Sequence, residues 1–192
     1  MSAANPMLTS ALERRPLTVE EFLRIVDAGV LDEDERIELI EGELIQMPPI
    51  GGAHMQAVNR LNLLLGEALR RQAVVSVQNA IALPPRSVPQ PDLALLTPAS
   101  LARPEVPGIA DILLVIEVAD STVSRDRDVK IPLYARHGIP EVWLVHLPRK
   151  VVQVFRKPGP EGYRELFERS ATDRLAPAAL PDSAIELAVV FG

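Results

Sequence analysis

The chain has 192 residues, 47% of them hydrophobic and 24% charged, which is the composition of a globular protein with one substantial core. These values exclude a disordered, collagen-like or coiled-coil chain. The formal net charge of -6 argues against a protein that binds nucleic acid nonspecifically through an overall positive surface.

The chain contains no cysteine, which excludes disulfides, thiolate metal sites and cysteine nucleophiles and fits a reducing compartment. The N-terminus shows no secretory signal, and the longest apolar stretch, residues 112–116, is too short to span a membrane. We therefore expect a cytoplasmic protein with no membrane partner.

The first predicted element is a short helix over residues 19–28. Thr18 and Glu21 have the spacing of a capping box, and Gly29 is a natural stop. Residues 1–16 before it are expected to form a loose tail, and residues 17–192 a single domain.

Residues 36–47 alternate around Glu41 and Gly42, which predicts a tight hairpin with Gly42 at the turn. From residue 53 to residue 72, apolar side chains recur at helical spacing, and His54 falls in the first turn of this helix.

The second half of the chain predicts mainly strands. The run 111–118 is apolar on both faces, which is typical of a central strand covered on both sides. The other predicted elements are strands at 74–77, 81–83, 92–96 and 141–146, a proline-rich loop at 97–111, a helix at 128–137, a hairpin of 150–156 with 163–169, and an edge strand within 185–190. This order predicts an α/β (α+β) domain with a central mixed β-sheet flanked by helices.

Two carboxylates stand out as candidates for chemistry. Asp92 follows Pro91 at the start of an apolar strand, and Glu117 lies inside the most apolar strand of the chain. A carboxylate in such a strand is seldom kept unless it is paired or binds a metal. On neighbouring strands, Asp92 and Glu117 would form a hard-oxygen site suited to Mg²⁺ or Mn²⁺.

Lys130 is the third candidate because the chain uses arginine 17 times and lysine only 3 times. An ammonium group beside a metal-bound water can orient that water and stabilise charge on a phosphate. Each residue also has a structural alternative: Asp92 as a turn cap, Glu117 in an ion pair with a buried arginine, and Lys130 as a solvated helix residue.

Several segments together resemble a known family. They are QPDLAL at 90–95, IEVADS at 116–121, Asp126 and Lys130, then YARHGIPEVW at 134–143, preceded by RIELIEGEL at 36–44 and by His54. Over about residues 17–157 the chain resembles the putative restriction endonuclease family, formerly a domain of unknown function, of the PD-(D/E)xK nuclease superfamily.

The resemblance implies a restriction-endonuclease-like fold and metal-dependent cleavage of phosphodiester bonds in DNA. Asp92 matches the acid of the PD motif and Glu117 the second acid. The usual lysine position, two residues after that acid, holds Ala119 here, and Lys130 from the next helix is the match. Mg²⁺ or Mn²⁺ would be bound by Asp92, Glu117 and the backbone carbonyl of Val118.

Four further residues match family positions or add an acidic group from the hairpin side: Glu38, Glu43, His54 and Gln78. Tyr134 is interpreted as a core residue. A homodimer is expected, because soluble oligomers are most often two-fold and related nucleases often cut both strands as dimers.

Two other functions are open at this stage. One is a catalytically silent protein of the same fold that binds nucleic acid or a protein partner, and the other is an unrelated α/β protein with structural ion pairs. Residues 121–160 hold 8 basic and 3 acidic residues, so this segment, with a net charge of 8 - 3 = +5, is a possible source of phosphate contacts.

Overall fold

A mixed sheet occupies the centre of the computed structural model, which describes residues 14–31, 35–120 and 126–192. Within these residues the main sheet has six strands in the order β3-β4-β5-β6-β7-β8. The strands are β1 (Ile37–Ile40), β2 (Glu43–Gln46), β3 (Val74–Val77), β4 (Leu93–Leu96), β5 (Ile112–Ala119), β6 (Glu141–His146), β7 (Val151–Gly159), β8 (Gly162–Ser170), β9 (Arg174–Leu175) and β10 (Ile185–Glu186). The helices are α1 (Val19–Asp27), α2 (Gly52–Leu69), α3 (Ile131–Arg136) and α4 (Leu187–Phe191).

Strand β5 is the centre of this sheet, as its apolar sequence predicts. It pairs antiparallel with β4 and parallel with β6, while the other adjacent strands of the main sheet pair antiparallel. Parallel neighbours need a crossover connection. Here the described part of that crossover is a π-helical turn, Asp126–Lys130, followed directly by α3.

Helices cover the two faces of the sheet. On one face, α2 and α4 bury Leu61, Leu65 and Val190 against strands that include β5. On the other face, α3 buries Leu133 and Tyr134. Both faces of β5 are therefore packed against other elements, and a buried charged side chain on it requires a compensating partner.

The N-terminal elements follow the predictions closely. Helix α1 begins with the capping box, in which Thr18 N–H donates to Glu21 and Glu21 N–H donates to Thr18 Oγ1. Strands β1 and β2 form the expected hairpin, and its two turn residues, Glu41 and Gly42, both have positive φ. Residues 14–16 of the predicted tail are described, and Pro16 packs against Gly42.

Three segments differ from the sequence-based expectation. Residues 81–83 do not belong to a strand and pair only through isolated bridges, including Ala82 with Gly108. The loop 97–111 contains 3-10 turns at Pro98–Ala102 and Ile109–Asp111. The predicted strand at 185–190 is limited to β10 and continues as α4, because Leu187 and Val190 pack into the α2 cluster at helical spacing.

A buried carboxylate, that of Glu141, joins the C-terminal strands. Glu141, at the start of β6, accepts hydrogen bonds from Trp143 Nε1 at 2.8 Å, from Arg156 Nε at 2.9 Å and from the Ala178 N–H at 2.6 Å. The Glu-x-Trp pair in the YARHGIPEVW segment is thus a structural link between β6, β7 and the C-terminal region.

The turn at Gly42 gives a test of the hairpin's packing. An alanine Cβ at position 42 would overlap Pro16 Cβ, whereas one at Gly29, which also has positive φ, would meet nothing within 4 Å. We expect Gly29→Ala to lower the free energy of unfolding by about 1 kcal/mol, through φ strain alone. Gly42→Ala should lower it by about 1–3 kcal/mol more, because overpacking adds to the strain. Urea denaturation of both variants measures the difference, and equal losses would contradict a close contact with Pro16.

Candidate active site

A cavity of about 220 Å³ lies where β4 and β5 approach the start of α2 and the crossover. One wall is polar and carries Glu38, His54, Asp92, Glu117 and Lys130. The loop between β2 and α2 also lines the cavity, with Met47, Pro48, Pro49 and Ile50. The cavity therefore combines ionisable groups with an apolar side, which is typical of ligand sites.

The strand register brings Asp92 and Glu117 together. Leu93 of β4 pairs with Ile116 of β5, and one step beyond this pair come Asp92 and Glu117. Residues opposite each other on antiparallel strands have Cβ atoms about 4.5–5.5 Å apart. Both side chains line the same cavity, and both residues are buried.

Asp92 is held from three sides. Its Oδ2 accepts a hydrogen bond from the Val118 N–H at 2.8 Å and lies 2.9 Å from His54 Nε2. Its backbone carbonyl accepts from the Gln78 N–H at 3.0 Å. The carboxylate contacts β5 and α2 across the sheet, which does not match the alternative of a local turn cap after Pro91.

Glu117 lies in a buried charged network. Its Oε1 accepts a hydrogen bond from Tyr134 OH at 2.6 Å and lies 3.4 Å from Lys130 Nζ. Lys130 Nζ also contacts Glu38 Oε1 at 2.8 Å, and the Gln90 N–H donates to that same oxygen at 2.8 Å. Within the residues whose side chains the structure describes, the cation in contact with Glu117 is Lys130.

The crossover explains how Lys130 reaches this network. Lys130 ends the π-helical turn and immediately precedes α3, whose second residue is Pro132. Tyr134 follows four residues later, and residues i and i+4 lie on one face of a helix. The same face therefore presents the amine of Lys130 and the hydroxyl of Tyr134 to β5. Lys130 is buried, so its interpretation as a solvated helix residue is wrong.

Most of the residues selected from the sequence meet at the cavity. Those that line it are Glu38, His54, Asp92, Glu117, Val118 and Lys130. Glu43 and Gln78 do not line it. Glu43 is exposed on β2 and pairs with Arg14, and the backbone N–H of Gln78 donates to the backbone carbonyl of Asp92. Sequence reasoning missed the contact of Tyr134 with Glu117. The signal available in the sequence was that Tyr134 follows Lys130 by four residues, which places both on one face of a helix.

The donor set fits a divalent cation by its charge and chemistry. Asp92, Glu117 and Glu38 bring three acidic side chains to the cavity, and the amine of Lys130 lies between two of them. Carboxylate oxygens are the ligands that a hard divalent cation such as Mg²⁺ prefers. Within the described residues, no group of three or more His, Asp or Glu side chains has the geometry of a complete metal site. Such a cation would need water or backbone oxygens as further ligands.

Much of the basic segment 121–160 is ion-paired within the described residues. Residues 121–125, which include Arg125, lie outside them. Lys130 contacts Glu38 and Glu117, and Arg136 contacts Glu41. Arg149, Arg156 and Lys157 contact Glu168, Glu141 and Glu165, respectively. Ion pairing thus cancels much of the net charge that the sequence suggested. Arg36, which lies outside this segment, lines the cavity and donates to the Pro48 carbonyl at 3.1 Å.

Comparison with known proteins identifies related chains. The model of the Uma2 family, described as putative restriction endonuclease, matches residues 19–189. The crystal structure of a putative nuclease belonging to DUF820 from Anabaena variabilis ATCC 29413 has a TM-score of 0.70 and 20% sequence identity, and the match covers 92% of this chain and 98% of that chain. This likeness confirms the predicted fold of a mixed sheet with flanking helices. Among curated proteins no significant match is found. No described helix is long and apolar enough to cross a membrane.

The buried position of Lys130 predicts a large effect of its removal on stability. Lys130→Met leaves Glu38 and Glu117 buried without their ammonium partner, which should lower the free energy of unfolding by about 3–5 kcal/mol. Lys157→Met is the control, since it removes an exposed pair with Glu165 and should cost at most about 1 kcal/mol. Urea denaturation compares the two variants, and similar small losses would contradict a buried pair.

Proposed function

Because the chain belongs to the Uma2 family of putative restriction endonucleases, we propose that it is a metal-dependent endonuclease that hydrolyses phosphodiester bonds in DNA. The family and the structural neighbour support a nuclease in general. The observation that carries the finer proposal is the placement of Asp92, Glu117 and Lys130 in one cavity. A cytoplasmic location and a homodimer, both expected from the sequence, belong to the same proposal.

In this proposal Asp92, Glu117 and the backbone carbonyl of Val118 hold Mg²⁺ or Mn²⁺. When bound, the ion supplies Lewis-acid polarisation of a phosphate oxygen and a more acidic water. The chain's own groups provide the placement: Val118 N–H and His54 fix Asp92, and Tyr134 and Lys130 contact Glu117.

Lys130 has the second role. An ammonium carries three N–H donors. The contacts to Glu38 and Glu117 hold its amine in the cavity wall, from which it can donate to an attacking water or to a phosphate oxygen. Charge that develops on the phosphate in the transition state is stabilised by a donor already fixed in place. Glu38 supports Lys130 in this role. Glu43 and Gln78 have no role in the proposed reaction.

Plasmid nicking tests the proposal. With Mg²⁺ or Mn²⁺ the wild-type protein should convert supercoiled DNA to the nicked form, and EDTA should stop the reaction. Asp92→Asn keeps the size and removes the charge of the side chain, so we expect the rate to fall at least about 100-fold. Glu43→Gln is the matched control, because Glu43 is an exposed acid outside the cavity, and its rate should stay within about twofold.

The outcomes separate the competing functions. Equal nicking by wild type and Asp92→Asn would point to a contaminating nuclease and overturn the assignment. Metal-independent binding of DNA by the wild type with no cleavage under any divalent ion would instead support the catalytically silent binding protein.

A further inference from the structure

Tyr134 contributes more than packing to the candidate site. The residue is fully buried among apolar side chains that include Leu133, Ile139 and Leu144. A phenylalanine would fill nearly the same volume without bringing a hydroxyl into this layer. A buried hydroxyl requires a partner to offset its lost hydration, and the partner here is Glu117 Oε1 at 2.6 Å.

The length and the chemistry of this contact indicate a strong hydrogen bond. A hydroxyl that donates to a carboxylate oxygen at about 2.5–2.7 Å forms a charge-assisted bond, roughly twice as strong as a neutral one. Both residues are buried, and electrostatic interactions between buried groups are stronger than in water. It therefore restrains the side chain of Glu117 effectively.

Two donors from one helical face meet at a single oxygen. Lys130 Nζ lies 3.4 Å from Glu117 Oε1, the atom to which Tyr134 donates. Lys130 is in turn held by Glu38 at 2.8 Å. A glutamate has several rotatable bonds, so fixing one oxygen by two groups on a rigid element removes most of its freedom to turn.

We propose that Tyr134 is a positioning residue, which holds Glu117 in the orientation that binds the divalent cation. The inference rests on the proposed metal-dependent nuclease function and adds a residue to it. Groups that hydrogen-bond metal-ligating carboxylates fix ligand orientation, and their removal typically weakens metal affinity or activity about 10–100-fold.

The competing explanation is purely structural: the hydroxyl stabilises the fold, and the orientation of Glu117 does not depend on it. The chain offers a matched control for this, because its other tyrosine, Tyr163, also donates a single hydrogen bond, to the Ile139 carbonyl at 2.8 Å. Burial, followed by the nearby Glu141 carboxylate, raises the pKa of Tyr163 far above its usual value, so its hydroxyl stays protonated as a donor. Tyr163 does not line the cavity.

The experiment compares Tyr134→Phe with Tyr163→Phe in the full chain. Binding of Mn²⁺ alone is measured by titration calorimetry, and Tm is measured without metal. We expect both variants to lose a few degrees of Tm, as for one lost hydrogen bond. Tyr134→Phe should also raise the Kd for Mn²⁺ by about tenfold or more, whereas Tyr163→Phe should leave it unchanged within about twofold.

A second measurement follows the reaction. The Mg²⁺ concentration for half-maximal plasmid nicking should rise by a similar factor, about tenfold, in Tyr134→Phe, and saturating Mg²⁺ should restore much of the rate. A structural role would lower Tm without moving this concentration.

The results keep the two proposals apart. If Tyr134→Phe and wild type bind Mn²⁺ equally well, the positioning role of Tyr134 is overturned and the nuclease proposal stands. If wild type binds no Mn²⁺ and nicks no DNA, the proposed function fails first and the inference fails with it.

Discussion

The ammonium group of Lys130 lies between the buried carboxylates of Glu38 and Glu117, and this contact joins three separate parts of the chain. Glu38 comes from the β1–β2 hairpin, Glu117 from the central strand, and Lys130 from the crossover after it. None of the three side chains could be buried alone at an acceptable cost. Their mutual pairing lets the hairpin and the crossover close over the end of the sheet, which creates the cavity.

The parallel pairing of β5 with β6 is the topological basis of that contact. Because parallel strands need a crossover, the chain must leave the end of β5 and return along one face of the sheet. Lys130 and Tyr134 lie on the returning segment, which packs on the face that carries the Glu117 side chain. The lysine thus reaches the site from another element, although the sequence carries Ala119 two residues after Glu117.

Glu141 shows that burial of a carboxylate does not by itself identify a functional site. It is as buried as Glu38, and it is saturated by Trp143, by Arg156 and by the Ala178 N–H. It does not line the cavity that holds Asp92 and Glu117. Access to a cavity, together with neighbouring groups of complementary charge, separates the candidate site from this structural network.

The sequence by itself determined the elements whose signals are local. The capping box at Thr18, the turn at Gly42 and the apolar run of β5 act over a few residues, so each was predictable from its own segment. The polar groups Asp92, Glu117 and Lys130 were also identifiable, because a charge in an apolar strand and a rare lysine are visible without a fold. In contrast, only residues 185–186 of the strand predicted at 185–190 form one, β10. The chain continues as α4 because Leu187 and Val190 pack into the cluster that contains the α2 residues.

Only the tertiary structure decided how the polar groups combine. Strand register placed Asp92 and Glu117 one step beyond the pair of Leu93 with Ile116, and the crossover brought Tyr134 to the carboxylate of Glu117. The crossover also brought Lys130 to Glu38. Glu43, which follows Glu38 by five residues, is exposed on the other strand of the hairpin. These contacts join residues that are far apart in the chain, so their partners depend on packing and register rather than on any local pattern.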